Sequence, residues 1–408
     1  MRPAALDDAL LARLAREHGT PLYVYDAGTV EARIRDLAGF DRVRYAQKAN
    51  SNLAVLGVVK RAGAFVDAVS AGEIERALRA GFDPRTIVFT ADLFDRAALA
   101  ALARYRCPVN LGSPFQVEQY AALGTGTDVI LRVNPGFGHG HGRKVNTGGE
   151  SSKHGIWHTE LESVVARARR ASLRVRGLHV HIGSGADFEN LARVREALRR
   201  LAPVAGPDLA VISAGGGLSI PYREGEERVD VARYVREWLE TKRAIEDDLG
   251  RAIELECEPG RYLTAECGVL VAEVRGMKRS GSVDYVLIDA GFHTLVRPAM
   301  YGAYHRVTAI GKPAAPSKPT VVAGPLCESG DVMTQKDGGL LDPQPLPELA
   351  TGDLVCVHDA GAYAMAMASN YNTQPFPAEV LVDGGRARLV RRRQTFDALL
   401  ADETGLEA

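Results

Sequence analysis

The first residue with a clear chemical use is a lysine that directly follows a strand-like run. Lys48 stands in YAQKANSN, after the run RVRYA. Burial disfavours the charged form of an amine, and a neutral amine can attack a carbonyl group to form a Schiff base. For an isolated motif, the alternative is a lysine that reaches solvent just past its strand. The role of Lys48 therefore depends on the residues that accompany it.

Two further segments could bind a flat ligand that carries a phosphate group. In HVHIGSG, the His181 ring could stack on an aromatic ligand while the Ser184 hydroxyl and loop amides receive phosphate. In GGGL, which follows the strand-like run DLAVISA, the absence of Cβ atoms lets backbone N–H groups close on an anion. The alternatives are a metal site at the His-x-His pair and a tight turn at the glycines.

The segment EPGR places a carboxylate and a guanidinium on either side of a Pro-Gly turn. Arg261 suits bidentate binding of an anion. Glu258 could bond a ring nitrogen, and a carboxylate there would keep a pyridinium protonated, which makes the ring an electron sink. Glu254 and Glu256, on the same strand-like run, are expected to form ion pairs instead.

Three motifs in the last third of the chain combine Arg, Tyr, Cys and acidic residues with small ones. They are RPAMY (297–301), GPLCESGD (324–331) and HDAGAYAMAMASNYN (358–372). Together they supply the groups that a pocket for a dicarboxylic amino acid needs.

The elements that must position these residues alternate regularly. Eight strand-like runs, from RVRYAQKA to AIELECEP, alternate with helical patterns such as AGEIERALRAG. This alternation predicts an α/β fold, a (β/α)8 TIM barrel over residues 22–265, whose strands end at one mouth. Residues 1–21 and 266–408 are expected to form a β-rich domain, a β-sandwich or β-barrel-like unit, that completes the site. The run LYVYDA near the N-terminus could add a strand to this domain.

Composition narrows the class of protein. The 408 residues include 50 basic and 51 acidic side chains, so no bulk charge would attract nucleic acid or an anionic membrane surface. The N-terminal segment is charged throughout and lacks an apolar core, and no other stretch is apolar enough to span a bilayer. Five cysteines without close pairs or metal-type spacing suit a reducing compartment. A cytoplasmic location is expected, with no metal centre.

Long strings in the chain resemble one family closely. LRVNPGFGHGHGRKVNTGGESSKHGIW, DAGFHTLVRPAMYGAYH, GPLCESGD and SNYN resemble the diaminopimelate decarboxylases, most closely their enteric-type proteobacterial branch. This family belongs to the fold-type III pyridoxal-phosphate enzymes, with ornithine decarboxylase and the alanine racemase-like proteins. The resemblance covers nearly the whole chain, and it implies decarboxylation of meso-2,6-diaminopimelate to L-lysine and CO2, the last step of lysine biosynthesis.

The resemblance also implies roles for individual residues. Lys48 would carry pyridoxal 5'-phosphate and Cys327 would be the proton donor. The residues implied to bind the cofactor are Lys48, His181, Ser184, Gly216, Gly217, Glu258, Gly260, Arg261 and Tyr363. Those implied to bind the substrate are Arg261, Arg297, Tyr301, Glu328 and Tyr363. The family further implies a homodimer with shared active sites and a lid at residues 146–152.

Three alternatives stay open at the level of sequence. A pyridoxal-phosphate decarboxylase of ornithine, arginine or a carrier-linked glutamate keeps the cofactor and changes the substrate. Arg297 favours diaminopimelate over ornithine, because ornithine has no distal carboxylate. A metal-dependent barrel hydrolase would use the His-x-His pair, and a lone barrel could be a non-catalytic carrier of pyridoxal phosphate.

Overall fold

The computed structural model of the chain describes residues 2–138, 147–185 and 187–405. The chain divides into two compact units. The barrel unit comprises Glu31–Ile220 and Arg228–Leu263, and the sheet unit comprises Met1–Val30, Pro221–Glu227 and Thr264–Ala408.

In the described part of the barrel unit, eight parallel strands form a closed barrel, with one short strand added at its side. The added strand is β7, which pairs with β6. The barrel closes because β10 pairs with β2 as well as with β9. All eight predicted strands are confirmed, at these bounds: β2 Arg42–Ala46, β3 Phe65–Ala68, β4 Ile87–Ala91, β5 Val109–Leu111, β6 Asp128–Asn134, β8 Arg174–Val180, β9 Val211–Ser213 and β10 Glu254–Cys257. The added strand β7, which was not predicted, spans Ile156–Trp157.

Helices alternate with the barrel strands, and several begin at a capping side chain. Ser70 accepts a hydrogen bond from Glu73 N, and Asp95 accepts one from Ala98 N, so orphan amides of the first turn are satisfied. The helices bury apolar side chains such as Leu56, Leu102 and Leu198. The bounds are α2 Ala27–Arg35, α3 Leu53–Arg61, α4 Ala71–Arg79, α5 Arg96–Tyr105, α6 Gln116–Leu123, α7 Leu161–Arg170, α8 Phe188–Ala205, α9 Val231–Leu249 and α10 Arg261–Thr264.

The sheet unit is built on a mixed sheet of nine strands within the described residues. Its path is β15-β14-β12-β11-β1-β17-β18, and β16 pairs with both β11 and β13. The bounds are β1 Leu22–Asp26, β11 Gly268–Ser280, β12 Val283–Ile288, β13 Val307–Ala309, β14 Ser317–Ala323, β15 Gln344–Pro347, β16 Leu354–Val357, β17 Ala378–Asp383 and β18 Arg386–Arg391. Helices α1 (Asp8–His18), α11 (Arg297–Tyr301) and α12 (Phe396–Leu400) complete it.

The predicted start of the barrel at residue 22 requires correction. Strand β1 lies in the sheet unit, where it pairs antiparallel with β11 and parallel with β17. Its side chains Leu22 and Val24 pack in a core with Leu11 and Leu14 of α1 and Val380 of β17. The first strand of the barrel is β2. Over the described ranges, no helix is long and apolar enough to cross a membrane.

Candidate active site

The predicted residues of the barrel unit stand at the carboxyl ends of its strands. Lys48 follows β2, His181 follows β8, and Glu258 follows β10. Since parallel strands of a closed barrel end at one mouth, these residues share that mouth. Lys48 lies in the short 3-10 turn Gln47–Ala49 and its side chain is exposed, so the expected burial of this lysine is wrong. Its positive charge nevertheless acts on Asp67 and His181.

Glu258 is a buried carboxylate inside a set of hydrogen-bond donors. Oε2 accepts from Nε2 of His179 at 2.7 Å, and Oε1 accepts from Asn110 Nδ2 and Ser213 Oγ, each at 3.3 Å. Burial opposes ionisation, but His179 and Arg44 outweigh it and lower the pKa of Glu258 to about 2. The site therefore holds a fixed negative charge that can accept a further hydrogen bond.

The acidic residues of β10 itself form the ion pairs expected from the sequence. Arg44 forms a bidentate ion pair with Glu256, in which Nε and Nη2 donate to the carboxylate at 2.7 and 2.8 Å, and both side chains are buried. Arg42 contacts Glu256 and Glu254. Their charges are paired with each other, which leaves Glu258 as the β10-end carboxylate that faces the histidines.

His181 presents a neutral, flat ring beside the glycine run. Burial, together with the positive charges of Arg132 and Lys48, keeps the pKa of His181 well below its usual range. Within the described part of the chain, its Nδ1 has no hydrogen-bond partner. A Cβ added to Gly216 would stand 3.6 Å from His181 Cε1. A neutral imidazole in this position suits stacking on an aromatic ring.

The glycine run at residues 215–217 has a backbone path that a residue with a Cβ atom would obstruct. Gly215 and Gly217 have φ of +61° and +114°, in the region that favours glycine. A Cβ on Gly216 would lie 2.6 Å from the Glu258 carbonyl oxygen, and one on Gly217 would lie 2.6 Å from that of Gly183. Gly185 N donates to Gly217 O at 2.9 Å, so the two strand-end loops are joined. Ser184 lies in the second loop, half-buried.

Gly260 and Arg261 complete the predicted set in the barrel unit. Both follow Glu258 directly, and α10 begins at Arg261. Gly260 O accepts from Leu263 N at 3.2 Å, which fixes the start of this helix. Backbone amides near a glycine-lined strand end and a guanidinium are the groups that bind phosphate.

Asp67 is a buried acid at the site that sequence reasoning missed. It lies in β3, and burial with the negative charge of Glu258 raises the pKa of Asp67 well above its usual range, against the effects of Thr90 and Lys48. Its Oδ1 has no hydrogen-bond partner among the described residues. The signal in the sequence was an acid inside the otherwise apolar strand FVDA.

The described part of the predicted lid is anchored to the barrel. Asn134, the last residue of β6, donates to the carbonyls of Gly149 and His154 at 3.1 Å and accepts from Gly149 N at 2.9 Å. Thr147 Oγ1 donates to the His181 carbonyl at 3.1 Å. Residues 147–152 thus follow the strand ends, whereas Asn146 lies outside the described residues.

In the sheet unit, Arg297 and Tyr301 are the first and last residues of α11. Arg297 is buried, and its Nη1 donates to His305 Nε2 at 2.7 Å. The Tyr222 ring centre lies 4.9 Å from its guanidinium carbon. Tyr301 is half-buried, as is Tyr363, which adopts a φ of +55° that is uncommon for a residue with a side chain.

Cys327 and Glu328 stand on an exposed loop of the sheet unit. Cys327 N donates to Asn372 Oδ1 at 3.0 Å, and the Tyr371 hydroxyl donates to Glu328 Oε2 at 3.3 Å. The Asp331 carboxylate accepts from Leu326 N at 2.8 Å and so closes the loop from within. The segment SNYN therefore supports the loop that carries both predicted residues. SNYN contributed to the family resemblance, but the sequence alone did not indicate this supporting role.

The remaining four cysteines lie in the protein core. Cys107, Cys257, Cys267 and Cys356 are buried and free, as expected for small core residues. In the ranges that the structure describes, no group of three or more His, Cys, Asp and Glu side chains could hold a metal ion.

Comparison with known proteins places the chain in a class of enzymes. A model of the family described as "Pyridoxal-dependent decarboxylase, pyridoxal binding domain" matches residues 29–265. This range contains the barrel with its carboxylate, histidine and glycine run. The chain therefore belongs to the pyridoxal-dependent decarboxylases.

The similarity also extends over the sheet unit. The diaminopimelate decarboxylase of Streptomyces coelicolor is 52% identical over 98% of this chain and 93% of its own, and that of Escherichia coli K12 is 50% identical over 96% of each. A crystal structure of a diaminopimelate decarboxylase matches with a TM-score of 0.94 at 50% identity, over 97% of this chain and 96% of that one. Within its class, the chain belongs to the diaminopimelate decarboxylase family. The resemblance is confirmed and is not confined to the enteric branch.

Proposed function

We propose that the chain uses pyridoxal 5'-phosphate to decarboxylate meso-2,6-diaminopimelate to L-lysine and CO2. The observation that carries this proposal is the buried carboxylate of Glu258, ionised by His179 and Arg44, at a barrel mouth beside the neutral ring of His181. A fixed negative charge next to a flat neutral ring is what a protonated pyridine ring needs. The membership of the chain in the diaminopimelate decarboxylase family supports the choice of substrate.

The residues of the barrel mouth fit pyridoxal phosphate. The Gly216 position has no space for a Cβ, so the backbone of Gly216 and Gly217 can approach a phosphate group closely. Ser184, Gly260 and Arg261 would complete the phosphate site, and Lys48 would bind the carbonyl carbon of the cofactor. When bound, the cofactor provides a protonated ring that accepts the electrons released with CO2.

The protein's own groups have defined tasks in the reaction. Glu258 would accept a hydrogen bond from the protonated ring nitrogen and, at a pKa of about 2, stays ionised through the neutral pH range. His181 would cover one face of the ring and, being neutral, would add no charge to it. Cys327 would deliver a proton to the substrate carbon that loses its carboxylate. Lys48 would hold the cofactor while no substrate is bound.

Substrate choice is assigned to residues that never take part in bond breaking. Arg297 and Tyr301 would bind the distal carboxylate, and Glu328 would bind the distal ammonium, with Arg261 and Tyr363 as further contacts. A guanidinium matches a carboxylate in charge and fork geometry. Glu328 alone would suit ornithine or arginine as a substrate equally well. Arg297 additionally suits a distal carboxylate, which diaminopimelate has and ornithine lacks.

We also propose a homodimer in which the loop with Cys327 and Glu328 of one subunit serves the Lys48 site of its partner. Mixing inactive Lys48→Ala and Glu328→Ala subunits should restore part of the activity, because one composite site would then carry both native residues. Verified heterodimers without any activity would contradict the shared site. A cytoplasmic location is also proposed, because five cysteines without close pairs in the sequence suit a reducing compartment.

A substrate panel tests the proposed function. The purified chain, loaded with pyridoxal phosphate, is given meso-diaminopimelate, ornithine or arginine, and CO2 and amine products are quantified. Equal amounts of CO2 and L-lysine from meso-diaminopimelate, at a kcat/KM far above that for the other substrates, are expected. A preference for ornithine or arginine would contradict the assignment of meso-diaminopimelate as the substrate. Absence of CO2 with all three substrates would contradict the assignment of the chain as a decarboxylase.

A further inference from the structure

His305 makes a directed contact with the arginine assigned to the substrate carboxylate. Arg297 Nη1 and His305 Nε2 are 2.7 Å apart, and both side chains are buried in the sheet unit. On its other side, His305 Nδ1 lies 2.8 Å from the backbone carbonyl oxygen of His358. The imidazole therefore connects a guanidinium to the main chain next to β16.

The partners of His305 define its protonation. A carbonyl oxygen can only accept, so Nδ1 must carry the proton, and a guanidinium can only donate, so Nε2 must offer its lone pair to Arg297. Both contacts are satisfied only by the neutral Nδ1–H tautomer. A protonated imidazole would lose the acceptor and set two cations against each other.

The surroundings keep His305 and Arg297 in this arrangement. Gln344, itself buried, donates from Nε2 to the His305 carbonyl at 2.8 Å and accepts from Val307 N at 2.8 Å. The Tyr222 ring stands edge-on to the imidazole with the ring centres 5.6 Å apart, and it also faces the Arg297 guanidinium. Aromatic packing of an arginine restrains its plane.

We propose that His305 is a positioning residue for substrate selection. As a neutral hydrogen-bond acceptor, it fixes the plane of the Arg297 guanidinium toward the distal carboxylate of the substrate. The inference rests on the proposed function, in which Arg297 binds that carboxylate. His305 does not touch the reacting atoms, so its replacement should weaken substrate binding more than it slows the chemical step.

A pair of amide variants separates acceptor function from simple packing. In His305→Gln, the amide oxygen can reach the position of Nε2 and accept from Arg297, whereas the shorter side chain of His305→Asn places its amide near Nδ1 only. His305→Phe, which keeps a ring against Tyr222 and has no acceptor, is measured beside them. KM and kcat for meso-diaminopimelate, the absorption band of the bound cofactor and the melting temperature are recorded for each holoenzyme.

Loss of the acceptor should raise KM at least about tenfold, as expected for a hydrogen bond to a charged group. His305→Asn and His305→Phe should show this rise with kcat within about threefold and with an unchanged cofactor band, while His305→Gln should stay within about threefold of the native KM. Native KM in both Asn and Phe variants, or a KM for His305→Gln as high as theirs, would overturn the inference. If one variant does not fold, the other still decides.

A double-mutant cycle with Arg297→Gln tests whether His305 acts through Arg297. The KM effect of His305→Asn should shrink to less than about twofold when Arg297 is already replaced. An undiminished effect would overturn the inference while leaving the substrate role of Arg297 intact. An unchanged KM in Arg297→Gln itself would overturn both assignments, although continued release of CO2 from meso-diaminopimelate would leave the proposed function standing.

Discussion

Replacing Gly216 with alanine should weaken cofactor binding, because the new Cβ has no space. It would stand 2.6 Å from the carbonyl oxygen of Glu258, whereas heavy atoms in contact need about 3.5 Å. The backbone at one of the two positions must then move by roughly 1 Å. Gly216 has no left-handed φ, so the alanine itself is not strained and the effect comes from the clash.

The size of the effect follows from the cost of overpacking. Forcing an extra methyl group into a closely packed site costs about 1–3 kcal/mol, which corresponds to about a 5- to 150-fold rise in Kd for pyridoxal phosphate. Fluorescence titration of the apoenzyme with the cofactor measures this Kd. The movement also displaces Glu258, so turnover of the saturated enzyme should fall as well.

Gly57→Ala is the matched control. Gly57 lies in α3 of the same unit, and a Cβ there would meet nothing within 4 Å. Alanine is the better helix former, so this variant should be at least as stable as the native chain and bind the cofactor equally well. An unchanged Kd in Gly216→Ala, or an equal loss in both variants, would refute the assignment of the glycine run to the phosphate site.

Three other perturbations have defined outcomes. Glu258→Gln should lower kcat by about 10- to 150-fold in steady-state assays with the cofactor still bound, because a neutral amide cannot support a protonated ring and gives His179 an uncharged acceptor in place of a carboxylate. Cys327→Ala should lower turnover and leave the cofactor absorption band in place; unchanged turnover would remove Cys327 as the proton donor. Burial and Arg306 lower the pKa of His358 from 6.5 to about 3, so the unfolded chain binds the proton first and the free energy of unfolding should fall as pH drops below 6.5 toward 3. Urea unfolding at several pH values should show a shallower fall for His358→Gln, and an identical pH profile would contradict this reasoning.

The barrel was predictable because its strands are short, mostly apolar runs that alternate regularly with helical patterns. The runs that became β2 to β6 and β8 to β10 carry this pattern locally. The run LYVYDA, which forms β1, was recognised as a strand that could join the β-rich domain, but its pairing with Ala378–Asp383, far along the chain, follows from no local pattern.

Site residues that directly follow a predicted strand could be found from the sequence. Residues whose role depends on a hydrogen-bond partner far along the chain were missed. Glu258 and the glycine run follow strands directly, which made them visible in the sequence. His179 was seen only as half of a possible metal pair, yet its Nε2 donates to Glu258. Asn110 is likewise a polar residue in a buried strand whose partner is Glu258. His305 ends the quoted string RPAMYGAYH, but its task depends on the His358 carbonyl.

The most direct test of the central claim is to find where the cofactor is attached. The holoenzyme is reduced with borohydride, which fixes a Schiff base as a stable amine, then digested with trypsin and analysed by mass spectrometry. We predict pyridoxyl phosphate on Lys48 alone, in the peptide Tyr45–Lys60 that remains uncleaved at the modified lysine. Modification of a different lysine, or an unmodified Lys48 in active enzyme, would contradict the assignment on which the other roles depend.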